Sequence, residues 1–72
     1  MFPTKEFRIQ CMIHDLKQTD IAEHLGVHPS AVSQVVNNLR QTPEIKSFLM
    51  RILRDMKTGS FAKLDDYDPD QF

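Results

Sequence analysis

Apolar residues recur three and four apart along most of this chain and nowhere alternate over the length of a strand. That pattern predicts four helices. The first, over residues 5–14, follows Thr4 as a candidate N-cap and has Glu6 in its first turn, where a negative charge suits the helix dipole. Its inward stripe reads as Ile9, Met12, Ile13 and Leu16, with Phe7 and Cys11 on the border, and Asp15 tolerates the left-handed conformation that ends it. The second covers residues 18–25 and the third residues 29–39. The fourth is bounded by Thr42, Pro43 and Glu44 at its start and by Gly59 at its end. Ile45, Phe48, Leu49, Ile52, Leu53 and Met56 give it one broad apolar stripe, with Arg51, Arg54 and Lys57 toward its C-terminal end. The fold class is all-α, with no internal repeat.

Residues 18–38 carry the most specific pattern. Ile21, Ala22 and Leu25 form one apolar face, and Val27, Val32, Val35 and Val36 the next. Ala22 is small where a second helix must approach. Gly26 stands where the chain reverses within a few residues and a positive φ is expected. Pro29 fits the first turn of the following helix, whose N–H groups lack intrahelical partners anyway. This is a helix-turn-helix layout, whose second helix enters a DNA major groove. That helix turns Val32, Val35, Val36 and Leu39 inward, and Pro29, Ser30, Ala31, Ser33, Gln34, Asn37 and Asn38 outward.

With Gln18 opening its first helix, and with Ala22, Gly26, Val32 and Val35 in place, the segment resembles the helix-turn-helix of the phage repressor/Cro class and of the lactose-repressor family. The run from Val32 through Ser33, Gln34, Val35 and Val36 to Asn37 is especially similar to a lactose-repressor recognition helix. One departure is Lys17, where those families usually place a Ser or Thr cap. The resemblance implies a repressor-like domain of four to five helices, in which Gln34 reads a base and Gln18 grips the phosphate backbone.

The residue chemistry adds further expectations. An amide such as that of Gln34 can both donate to and accept from one adenine edge. Ser30 can reach a base edge and Ala31 a thymine methyl. Thr19, Ser33, Asn37, Asn38 and Arg40 are expected on phosphates, and His28 on a phosphate or as the cap of the third helix. An ordinary solvent-facing helix carries Lys and Glu; the third helix has neither.

Composition and charge refine this picture. Residues 1–59 hold eight Lys/Arg against six Asp/Glu, a net +2, whereas residues 60–72 set Lys63 against Asp65, Asp66, Asp68 and Asp70, a net −3. The helical body is thus mildly basic and the tail acidic, so amides and hydroxyls are expected to supply many of the phosphate contacts. The tail, with Phe61, Leu64, Tyr67 and Phe72, predicts a short turn near residues 61–64 and then an extended segment. Either it lies pinned to the core by one or two residues, or its aromatics dock on a partner subunit, or its acids compete with DNA. The chain divides into a DNA-binding region (1–59) and this tail (60–72).

Seventy-two residues, 40% of them hydrophobic, suffice for one small core but not for a core that also encloses a substrate pocket. No paired acid and base, nucleophile with its base, or phosphate loop is present, so no catalytic residue is expected. His24 and His28 are separated by the Gly26 turn and the one thiol is Cys11, so neither a metal site nor a cofactor is expected. No apolar run approaches the roughly 18 residues that cross a membrane, no leader is evident, and a cytoplasmic protein is expected. The breadth of the fourth helix's stripe suggests a homodimer surface formed by Phe48, Ile52, Met56, Phe61 and Leu64.

Together these features predict a transcriptional regulator binding palindromic double-stranded DNA as a homodimer. The resemblance implies repression, including of its own operon, in a phage or mobile element, and no small-molecule effector is expected. The alternative is an antitoxin-like interaction module whose tail binds a partner protein.

Overall fold

Each of the four helices ends on a residue in the left-handed region, and that repeated device sets the chain path. The computed structural model describes residues 1–69, with α1 at Thr4–Ile13, α2 at Gln18–Leu25, α3 at Pro29–Val36 and α4 at Pro43–Thr58. Asp15 (φ 53°), Gly26 (φ 71°), Asn38 (φ 61°) and Gly59 (φ 79°) follow them in turn. After α3, Asn38 N–H donates to Val35 O at 3.1 Å and Leu39 N–H to Gln34 O at 2.8 Å, the paired bonds of a Schellman ending. Asn can take this position because its short amide tolerates a positive φ. The third helix therefore stops at Val36, and Leu39, expected inside, is 77% exposed.

The core is formed by Phe7, Ile21, Val32, Val35, Val36, Leu49 and Ile52, all essentially inaccessible, and no polar side chain is buried among the described residues. α2 packs on α3, and α4 packs on both α1 and α3. No strand occurs among the described residues, and none of their helices is long and apolar enough to cross a membrane.

Of the inward stripe expected for α1, Leu16 does pack against the core, but the face of the helix itself is turned the other way. Phe7 and Cys11 are buried, while Met12 and Ile13 are 75% and 67% exposed and Ile9 is exposed as well. Two apolar stripes compete on this short helix, and periodicity alone cannot choose between them. The choice falls to the aromatic pair. Phe2, just before the helix, meets Phe7 edge-on with ring centroids 5.2 Å apart, and both rings are removed from water. Thr4 Oγ1 also donates to Val36 O, which ties the start of α1 to the end of α3.

The apolar face of α4 also differs from expectation. Phe48, Ile52 and Met56, expected on a dimer surface, are buried within this one chain, and Phe61 and Leu64 are half-buried against the same core. The stripe is broad because α4 covers α1, α3 and the tail together. The tail forms a 3-10 turn at Leu64–Asp66, and Tyr67 closes over the core between Phe48 and Phe61. Its hydroxyl donates to Asp55 Oδ2, and its carbonyl lies 2.7 Å from His24 Nε2. Asp70 and Phe72, assigned to the tail's acidic and apolar sets, lie outside the described residues.

Burial and the bond to Asp55 push the Tyr67 phenol up to about 12, and that same bond holds the Asp55 carboxyl below its usual value. A lowered carboxylate pKa stabilises the fold above the unfolded value and loses that contribution as pH falls through the folded one. The Tyr67→Phe variant, which keeps the ring, should therefore melt below the wild type at pH 7. The gap should narrow as pH falls below the ordinary carboxylate range and Asp55 takes up a proton; a gap that stays constant in thermal melts from neutral to strongly acidic pH would show that the ionised carboxylate adds nothing to this bond.

Candidate nucleic-acid interface

On α3, residues four apart fall on one ridge, and two ridges settle what faces out. Ala31, Val32, Val35 and Val36 form the buried side. Ser30, Ser33, Gln34 and Asn37 form the opposite side, with Ser30 and Gln34 exposed and Ser33 and Asn37 half-buried. Ala31, expected to touch a thymine methyl, is only 7% exposed because it lies one turn before Val35 on the packed ridge. It cannot contact a base without unpacking the helix. Its small size instead lets α3 lie close to the rest of the core.

The start of α3 is held by His28. Its Nδ1 accepts the Ser30 backbone N–H at 3.1 Å and lies 2.8 Å from Ser30 Oγ, so the ring caps the helix from the N-cap position. Accepting that bond requires an unprotonated Nδ1, which leaves the Nε2 edge as the part of the ring able to meet another group. Of the two roles foreseen for His28, capping is the one the geometry displays.

At the other end of α3, two asparagines have internal work. Asn38 Oδ1 accepts the Phe2 N–H at 2.7 Å, and its Nδ2 donates to Phe2 O at 3.0 Å and to Thr4 Oγ1 at 3.3 Å. Its amide is spent on the N-terminal segment, which corrects its expected role on a phosphate. Asn37 Nδ2 donates to Ser33 O at 2.9 Å and to Ser33 Oγ at 3.3 Å, and its Oδ1 accepts from Arg8 Nη2 at 2.8 Å. No sequence signal marks Arg8. It stands 29 residues away on another helix, and no local pattern links the two.

Gln18 and Thr19 lie at the start of α2, half-buried and exposed respectively, and line a shallow hollow with Arg8, Met12 and Lys17. The missing Ser or Thr cap at Lys17 is partly offset by Asp20, whose Oδ2 accepts the Lys17 backbone N–H at 3.4 Å. Beneath the hollow, burial pushes the Cys11 thiol up to about 11, so at neutral pH it is a protonated packing group and not a nucleophile. Arg40 is exposed just past α3.

Charge sorts these surfaces. Asp20 and Glu23 on α2 line a separate hollow with Asp65 of the tail, which gives that flank negative potential. The α4 cations are mostly engaged: Lys57 with Glu6, Arg54 with Asp55 at 3.4 Å, and Arg51 over the Tyr67 ring at 5.5 Å from its centroid. The outward ridge of α3 is uncharged, with Arg8 at its C-terminal end and Lys17 near the start of α2. Among the described residues no three His, Cys, Asp or Glu side chains come together as a metal site would need.

Neither a protein-family model, nor a curated protein, nor a solved structure matches this chain.

Proposed function

We propose that the chain is a sequence-specific double-stranded DNA-binding transcriptional regulator, in which α2 and α3 act as a helix-turn-helix and α3 enters the major groove. The observation that carries this reading is the outward ridge of Ser30, Ser33, Gln34 and Asn37. It combines hydroxyls and amides with no formal charge, and it is held against the body by the packed ridge of Ala31, Val32, Val35 and Val36. A surface of that kind suits base edges, which present alternating donors and acceptors rather than charge. Gln34 is the base reader of this proposal and Ser30 its neighbour; Gln18, Thr19, Ser33 and Arg40 serve the backbone, while Asn38 and Ala31 are structural.

The proposed mode of action is occlusion of a palindromic operator by a homodimer, as in a self-repressing phage or mobile-element regulator. Two recognition helices about one helical turn apart would read two half-sites. With Phe48, Ile52 and Met56 inside the core, the second copy has to meet other apolar side chains, and the exposed Ile9, Met12 and Ile13 on α1 are the largest such group on one element. The antitoxin-like alternative loses its main support, since Phe61, Leu64 and Tyr67 are packed on their own body.

Selecting bound duplexes from a random pool tests the proposal directly. The expected product is a palindrome of two short half-sites. A single unrepeated site would remove the dimer, and no enrichment over several rounds would remove DNA reading itself.

A further inference from the structure

We infer that Arg8, from α1, contacts a DNA phosphate beside the C-terminal end of α3, and that Asn37 is the positioning residue that aims it. This rests on the DNA-binding reading above and extends it to a helix outside the α2–α3 pair.

Asn37 has little left to offer a phosphate. A phosphate oxygen needs a donor, and the Asn37 amide group is already directed to Ser33 O and Ser33 Oγ. Its carbonyl oxygen instead accepts from Arg8 at 2.8 Å. Arg8 is the converse case: a guanidinium carries five N–H donors, and one bond to Asn37 leaves most of the fork free. The partner's chemistry matters too. Arg54 and Lys57 are matched with carboxylates, whereas Arg8 is held by a neutral amide, and among the described residues no carboxylate lies within ion-pair distance of it. A neutral anchor fixes the side chain's position without cancelling its charge.

Location favours phosphate over base. When a recognition helix enters the groove, its N-terminal half goes deepest and its other end lies nearer the backbone. Asn37 is the C-cap just past α3, and Arg8 reaches it from another helix while also bordering the hollow of Lys17, Gln18 and Thr19. The body's modest net charge makes one fixed, uncancelled cation at this edge count for more.

The test measures duplex affinity across a salt series for the wild type, Arg8→Ala, Arg8→Lys, Asn37→Ala and the Arg8→Ala/Asn37→Ala pair, each on the selected duplex and on a scrambled one. Arg8 is exposed, so its variants should fold as the wild type does, which melting curves check. Arg8→Ala should lose about tenfold in affinity on both duplexes and flatten the slope of log K against log salt by about 0.9. Arg8→Lys should restore the slope but only part of the affinity. Asn37→Ala should weaken binding when Arg8 is present and add nothing when it is absent. Unchanged affinity and slope in Arg8→Ala overturn the inference while leaving the DNA reading intact, as does a loss confined to the selected duplex. A wild type that binds neither duplex at any salt overturns both.

Discussion

Phe7→Ala should leave most of the protein unfolded under conditions where the wild type is folded. Phe7 is fully buried and meets Phe2 edge-on. Truncating such a ring costs about 3–5 kcal/mol, because transfer free energy is lost and a cavity is left behind. A domain of this size has a net stability of only about 3–5 kcal/mol from its core, so the loss is of the same order as the whole. Ile13→Ser, on the same helix, removes a side chain that is mostly in water and should shift stability by no more than about 0.5 kcal/mol. Urea unfolding of the two variants decides between the two faces of α1. Should Ile13→Ser prove the more damaging, the helix is turned the other way.

The second large effect is functional. Gln34→Ala should weaken binding to the selected operator by about 1–3 kcal/mol, roughly fivefold to 150-fold, and relax the preference at one base pair. Gln34 is exposed and lies on the uncharged ridge, so melting behaviour should hardly change. Arg8 and Gln34 should respond differently. A base reader loses discrimination and keeps its salt dependence, whereas a phosphate contact loses affinity everywhere and changes the salt slope. An equal loss for Gln34→Ala on operator and scrambled DNA would move Gln34 from reading to anchoring.

Much of the fold was legible in the chain because its signals are local. Gly26 and Gly59 mark positive φ, Pro29 and Pro43 sit in first turns, and the three-four spacing of α4 runs unbroken, so α2 and α4 fall where those signals put them. Asp15 takes its left-handed position for the same reason. The end of α3 was harder. Leu39 continues the apolar spacing, and only the positive φ at Asn38 breaks it. Asn38 therefore read as one more polar residue on the helix exterior, when it ends the helix and holds Phe2.

The candidate interface divides the same way. Spacing alone put Ser30, Ser33, Gln34 and Asn37 opposite the valines, and they are found there. It misplaced Ala31 because a small apolar residue beside a polar one fits either ridge, and only the packing shows which. Arg8 left no trace at all. Its bond to Asn37 joins two helices far apart in sequence, and sequence spacing carries no information about such a meeting.

By itself, then, the amino-acid order determined that there are four helices and where α2 and α4 lie, the turn between α2 and α3, and the uncharged exterior of α3, because backbone propensity and helical period act within a few residues. Tertiary packing decided which stripe of α1 faces in, that the α4 stripe is buried within its own chain, and that Arg8 stands beside Asn37. Those outcomes depend on which side chains compete for one shared core, and that competition is settled only when distant segments meet.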